Sequence, residues 1–251
     1  VKPLRAVVLD TDGVLLDSAA LHAQAWKEAF DGCLAEACAA GGPPQAPFDA
    51  EREYRELVDG KSRLDGALAF LESRGIELPL GTPQDPPGCA TVWAVAGRKE
   101  QAFTRSLRAG GVEPFPEVRP ALQQARSHGL RCAAVSASRH ARDLLASAGL
   151  TDLFDETVDG VDAARLKLPG KPDPALFLTA AARLRVDPAE SAVVEDALAG
   201  VEAGQRGGFA MVVGVDRTGA VRSGAALRAH GAGAVAEDLL AVVRELIGER
   251  P

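Results

Sequence analysis

The sequence is poor in cysteine. None of its four, Cys33, Cys38, Cys89 and Cys132, forms a C-x-x-C pair or has a histidine at ligand spacing. The expectation is reduced structural thiols in a cytoplasmic protein. Basic runs are also missing. Lys and Arg total 28 against 35 Asp and Glu, a formal net charge of −7. Nucleic-acid surfaces need clustered Lys and Arg, so no nucleic-acid partner is expected. A small phosphorylated metabolite stays open, because a metal and a few local donors can offset the repulsion. No apolar run approaches the length that spans a bilayer, and Val-Lys-Pro-Leu-Arg-Ala-Val-Val-Leu-Asp10 is too soon charged for a signal peptide. The expectations are no membrane partner, a cytoplasmic location, and a monomer or weak dimer.

What is present is an ordinary globular composition, 47% hydrophobic and 25% charged over 251 residues. That length fits one large domain, or a core with a smaller insert. Short apolar runs recur at Arg5 to Asp10, Leu130 to Ser136, Ser191 to Asp196 and Phe209 to Gly214, the first three ending in polar groups. Each reads as a buried strand. Helical patterns lie between them over 120–128, 138–148, 173–185 and 197–205, the second stopped by Gly149. Alternating strands and helices predict a parallel α/β sheet, whose ligands bind beyond the carboxyl ends of the strands.

Residues 18–108 read differently. Ser18 stands before a helix carrying Leu21, Ala25, Trp26 and Phe30, with further helical pattern at 52–57, 64–74 and 98–108. Pro/Gly-rich stretches at 41–47 and 78–88 predict mobile surface loops. The predicted division is an α/β core from 1–17 and 109–251, with a helical insert over 18–108.

Four features carry candidate chemistry. In Asp10-Thr-Asp12-Gly13-Val14, two carboxylates at a strand end repel unless a divalent cation joins them. One can attack phosphorus while the other moves a proton; alone, the motif is equally a capped turn. Ser136 ends a strand before a helix N-terminus, an anion site or merely a cap. Lys171, in Gly-Lys-Pro-Asp-Pro174, is presented by a loop that Pro172 and Pro174 shape. Glu195-Asp196 follows a buried strand, where a metal is one partner and an exposed strand end the plain alternative.

The four occur in order, each at a predicted strand end or loop on one face of the sheet. The sequence there resembles the haloacid dehalogenase superfamily of aspartyl-phosphate enzymes, over nearly the whole chain. Asp10 to Ser18, Gly170 to Pro174 and Val194 to Gly200 look like the branch with an inserted helical cap on a Rossmann-like core. That branch includes sugar-phosphate phosphatases and β-phosphoglucomutase.

The resemblance implies the roles. Asp10 would be nucleophile and metal ligand, and Asp12 general acid and base with its carbonyl on Mg²⁺. Glu195 and Asp196 would complete the metal site, and Ser136 and Lys171 would hold the transferring phosphoryl oxygens. In the insert, His22 and Trp26 look like the first cap helix of the mutases. Arg63 matches their grip on a distal phosphate, and Lys99 a cap lysine. Ser138 and His140 count among the substrate-binding positions, although His140 replaces a small amide usual in such mutases. The implied function is Mg²⁺-dependent phosphoryl transfer on a small phosphorylated sugar, as a phosphomutase interconverting sugar 1- and 6-phosphates. Sugar-phosphate hydrolysis is the alternative. A non-catalytic binding module is a third reading, against which the intact set of Asp10, Asp12, Ser136, Lys171 and Asp196 argues. A dehalogenase would need neither the metal nor Asp12.

Overall fold

The computed structural model describes residues 3–219 and 221–248. The chain divides into two compact units, Val1–Asp17 with Glu113–Pro251, and Ser18–Val112. The second division lies beyond the expected Arg108, because the last helix of the insert runs on to Gly110.

The first unit is a six-stranded, all-parallel sheet. Its strands are β1 (Ala6–Asp10), β2 (Arg131–Val135), β3 (Glu156–Val158), β4 (Ser191–Glu195), β5 (Met211–Val215) and β6 (Ala234–Ala236). Their order is β3-β2-β1-β4-β5-β6. The chain builds outward from β1 through β2 to β3, then crosses to β4 and builds outward on the other side. The switch point therefore lies between β1 and β4, where Leu9 registers with Val194. Asp10 and Glu195 end these two strands, at the position where open α/β sheets bind ligands.

Continuous apolar runs suit strands covered on both faces, and all of β1 and β4 is buried. Val8, Val135, Val193, Phe177 and Leu184 lie in one core cluster. The helices of this unit are α4 (Val118–Ser127), α5 (Ala141–Ser147), α6 (Gly160–Leu166), α7 (Ala175–Leu184), α8 (Leu198–Arg206), α9 (Val221–Ala229) and α10 (Leu239–Ile247). Among them α4, α5, α7 and α8 answer to the expected helical stretches.

The second unit is helical: α1 (Ala19–Ala39), α2 (Arg63–Ser73) and α3 (Val92–Gly110), with one π-helical turn at Tyr54–Val58 where an ordinary helix was expected. Its centre is aromatic. Phe30 stacks on Phe70 at 3.8 Å and on Trp26 at 4.7 Å, and meets the edge of Phe48 at 5.1 Å. Ser62 and Thr91 cap α2 and α3, accepting from the amides of Asp65 and Ala94. Helix α3 starts well before the expected Arg98. Gly97, which weakens a helical pattern, sits inside it.

One expectation about this unit is corrected. Cys33 and Cys89 form a disulfide, so only Cys38 and Cys132 remain as thiols. A separation of 56 residues gave no spacing signal, but α1 and the approach to α3 bring the two Cα atoms to 5.3 Å. The Pro/Gly-rich stretch at 78–88 is a largely exposed loop, as expected, and carries bonds of its own. Thr82 Oγ1 and Thr91 Oγ1 donate to Asp85 at 2.9 and 2.6 Å, and the Val92 amide donates to the Pro79 carbonyl at 3.0 Å. The 41–47 stretch is anchored as well, by Arg74 donating to the Ala46 carbonyl at 2.9 Å. Among the described residues no helix is long and apolar enough to cross a membrane.

Candidate active site

Asp10 closes β1 and is 5% exposed. Its Oδ2 accepts the Asp12 amide at 2.9 Å, so the chain turns as soon as the strand ends. Gly13 allows that turn at φ +76°, and a Cβ there would lie 1.7 Å from Asp196 Oδ2. The Asp-x-Asp-Gly pattern thus has two physical reasons for its glycine, backbone conformation and the close approach of a second acid.

Lys171 is 2% exposed, held by a loop whose Lys171–Pro172 peptide is cis. Its ammonium bonds Asp10 Oδ1, and Glu195 Oε1 at 2.5 Å, and lies 4.8 Å above the Phe177 ring. Burial by itself would lower this ammonium. The Asp10 and Glu195 carboxylates outweigh it and hold Lys171 above its ordinary range, charged at any physiological pH. Glu195 is fully buried and its other oxygen accepts the Ala197 amide at 2.7 Å. Gly200 makes room for it, since a Cβ there would lie 1.7 Å from Glu195 Oε1.

Ser136 follows β2 and is fully buried. Its hydroxyl donates to Asp12 Oδ2 at 3.0 Å and accepts the Ser138 amide at 3.0 Å. Ser138 Oγ in turn accepts the His140 amide at 3.2 Å. One chain of hydrogen bonds therefore leads from Asp12 through Ser136 and Ser138 to His140.

Carboxylate oxygens of Asp10, Glu195 and Asp196 lie within 4.8 Å of one another. Burial pushes the Asp10 carboxyl well above the usual carboxylate range, with Glu195 and Asp12 adding to the push and Lys171 opposing it. A buried all-oxygen donor set with negative charge beyond what Lys171 offsets fits a hard divalent cation. Asp10, Glu195 and Asp196 are the residues that would hold it.

The sequence-derived candidates of the helical unit form their own constellation. His22, 9% exposed, joins Lys99 Nζ through its Nδ1 at 2.9 Å and stacks on Phe103 at 4.1 Å. Lys99, 6% exposed, lies 4.5 Å above Phe103 and 5.5 Å above Trp26. Arg63 is separate in character. It pairs with Glu100 at 2.8 Å, the two side chains 23% and 28% exposed.

Sequence reasoning passed over four residues that the structure places among these groups. Gly200, Phe103 and Glu100 are three of them. Phe103 follows Lys99 at helical i,i+4 spacing, and Glu100 is adjacent to it, so the signal was present once α3 is known to be continuous. The fourth is Arg217, whose guanidinium donates to the carbonyls of Gly13 and Val14 at 2.9 and 2.8 Å. It stands among polar residues directly after the apolar run of β5, the signal that singled out the ends of β1, β2 and β4.

This architecture and strand-end acid set define a known class: residues 4–208 match the family described as haloacid dehalogenase-like hydrolase, and the chain belongs to that family. Within it, the chain is 45% identical over 236 residues to the beta-phosphoglucomutase of Mycobacterium bovis, covering 94% of this chain and 90% of that protein. It is 32% identical over 213 residues to the beta-phosphoglucomutase of Bacillus subtilis, 84% of each being covered. The crystal structure of a beta-phosphoglucomutase from Clostridium difficile shares the fold, with a TM-score of 0.72 over 98% of both chains at 22% identity.

Proposed function

We propose that the chain is a phosphomutase that interconverts sugar 1- and 6-phosphates, in the manner of β-phosphoglucomutase, through a phosphoryl group carried on Asp10. The observation that carries the reading is the 45% identity to the Mycobacterium bovis beta-phosphoglucomutase over nearly all of both proteins. The strand-end geometry supports it from the chemistry.

Asp10 Oδ attacks phosphorus and Asp12 protonates the departing sugar oxygen, then takes a proton from the incoming hydroxyl on the return transfer. Asp12 is suited to this because the Ser136 hydroxyl and its own amide bond to Asp10 fix its direction. Lys171 places a fixed positive charge beside Asp10, where charge on the transferring oxygens must be offset, and Glu195 holds Lys171 there. The proposed cofactor is Mg²⁺, held by Asp10, Glu195, Asp196 and the Asp12 carbonyl. When bound it supplies further positive charge to the phosphoryl oxygens and lets neighbouring carboxylates stay ionised. On this reading Ser138 and His140 donate to the phosphoryl and sugar oxygens, and Ser136 joins them when its hydroxyl turns from Asp12.

On this reading the helical unit serves as the cap. His22, Trp26 and Lys99 bind the sugar phosphate, and Arg63 grips the second phosphate of a bisphosphate intermediate with its planar fork. One observation favours the alternative, a sugar-phosphate phosphatase. Arg63 already has Glu100 as a counter-ion, whereas a hydrolase has no second phosphate to hold.

A substrate panel with Mg²⁺ separates the two. Phosphate release from sugar monophosphates and isomerisation of β-glucose 1-phosphate, primed with a sugar bisphosphate, are measured side by side. The mutase reading expects primed isomerisation to outrun hydrolysis. Steady phosphate release without isomerisation would replace it with the phosphatase.

A further inference from the structure

We propose that Arg217 is a positioning residue that sets the aim of Asp12 by holding the two carbonyls that follow it. The inference rests on the phosphoryl-transfer reading for its kinetic consequence, and on geometry alone for the positioning.

Arg217 enters from the far side of the sheet order. β5 ends at Val215, and Asp216 Oδ1 then accepts the amide and hydroxyl of Thr218 at 3.0 and 2.6 Å. That closed turn presents Arg217 at one place. Its guanidinium then makes two hydrogen bonds, one ion pair and one stacking contact. Nε and one terminal nitrogen donate to Gly13 and Val14, the other terminal nitrogen pairs with Glu117 Oε1 at 2.7 Å, and the plane lies 3.5 Å from the centroid of Phe115. Only a planar fork can serve two successive carbonyls, a carboxylate and a ring at once. The side chain is 21% exposed, so these bonds are made largely out of water.

The held segment is tied at its two ends, by Thr11 N donating to the Val135 carbonyl at 3.0 Å and by Phe115 N and Asp17 N bonding the Leu15 and Glu113 carbonyls at 3.2 and 3.0 Å. Its internal bonds run from Gly13 N to the Leu16 carbonyl and from Leu15 N and Leu16 N to the Thr11 carbonyl, each at 2.9 Å. These shape the turn, and between its tied ends the carbonyls of Gly13 and Val14 are the ones that Arg217 holds. Gly13 must also sit against Asp196 with no room for a Cβ. Asp12 immediately precedes it. A shift of this turn moves the Asp12 carboxylate off the line to the leaving oxygen while Asp10, in β1, stays where the sheet puts it. The proton transfer should suffer and the attack should not.

The test uses leaving groups of different basicity in the full-length enzyme with Mg²⁺. A sugar phosphate needs its leaving oxygen protonated, and acetyl phosphate does not. Arg217→Met should lower kcat on the sugar phosphate by about ten- to hundredfold, the usual effect of a small misplacement. KM should change little, and the single-turnover burst of acetate from acetyl phosphate, which reports phosphorylation of Asp10 before any incoming hydroxyl loses a proton, should stay within about threefold of wild type. Arg217→Lys, which keeps charge but not the fork, should fall between. Glu117→Gln, which leaves both carbonyl bonds in place, should lose little on either substrate. Amide hydrogen exchange at Gly13, Leu15 and Leu16 should quicken in Arg217→Met and Arg217→Lys but not in Glu117→Gln. Equal losses on both substrates, or unchanged exchange at these amides, would overturn the proposal. If wild type turned over neither substrate, the phosphoryl-transfer reading would fail, and the exchange data would still decide whether Arg217 positions the turn.

Discussion

In the α/β unit Lys171 is almost wholly buried and bonds Asp10 and Glu195 together, whereas in the helical unit Arg63 meets Glu100 with both side chains about a quarter exposed. The first arrangement has no easy substitute. Water cannot replace either carboxylate, and removing any member leaves buried charge behind. The second is exchangeable, because a phosphate can take the place of Glu100 on the guanidinium at modest cost. The reaction is thus built where the fold enforces it, and the proposed choice of substrate is built where partners can be traded.

The harshest test of this contrast is Asp10→Asn. It removes the proposed attacking oxygen, and turnover should fall by at least about ten-thousandfold. Phosphate release and isomerisation should vanish together. Beryllium fluoride should be trapped as a phosphoryl mimic by the wild type and not by the variant. Wild-type-like turnover in Asp10→Asn would remove the covalent mechanism from the α/β unit altogether.

Lys171→Met measures the enforcement itself. Asp10 and Glu195 would lose their buried counter-charge, and unfolding in urea should show about 3–5 kcal/mol of lost stability. Arg63→Ala, by the same measurement, should lose no more than about 1 kcal/mol. Equal losses at the two positions would erase the distinction between enforced and exchangeable charge. Added Mg²⁺, with Asp10 and Glu195 among its proposed ligands, should lessen the Lys171→Met deficit and leave that of Arg63→Ala unchanged.

The same division governs what could be read in the sequence. The strands β1, β2, β4 and β5 were legible because burial on both faces demands unbroken apolar runs, and the acids at their ends stand out against those runs. β3 and β6 were not legible. Each is a three-residue edge strand, too short for a pattern, and each exists because a neighbour offers it a ladder. Asp10, Asp12, Ser136 and Glu195 were legible as candidates because strand ends concentrate polar groups at one edge, and Lys171 because prolines shape its loop; the structure brings them into one hydrogen-bonded set. Arg217 escaped because its partners are main-chain carbonyls, so the polar end of β5 marked the place but not the residue's role. The Cys33–Cys89 pair escaped for a related reason: contact between α1 and the segment before α3 is tertiary, and nothing local announces it. Glu100 escaped because an acid on an amphipathic helix ordinarily reads as solvated surface.

Arg63→Ala carries the contrast into kinetics. On the mutase reading, it should slow primed isomerisation by about ten- to hundredfold, the effect of losing a charge-assisted bond worth about 1.5–3 kcal/mol. Hydrolysis of acetyl phosphate, which offers no second phosphate, should be unaffected. Indifference of isomerisation to this change would take the distal-phosphate role away from Arg63.

The smallest expected effect falls on Glu100. If Arg63 trades Glu100 for a phosphate, each binding event must first break the 2.8 Å pair. An ion pair of this exposure is worth no more than about 1 kcal/mol, so Glu100→Gln should lower the KM for the priming bisphosphate by at most about fivefold. The direction matters more than the size. Loss of a merely structural contact would raise KM or leave it alone, whereas release of a competing counter-ion lowers it. Added salt should shrink the difference between the two proteins, since it screens the same partly exposed pair. The effect must also depend on its partner. In the Arg63→Ala background, Glu100→Gln should change the KM for the bisphosphate no further, because the pair it relieves is already gone. A full-sized effect of Glu100→Gln without Arg63 would mean that Glu100 repels the phosphate directly, and the exchange of partners on Arg63 would have to be given up.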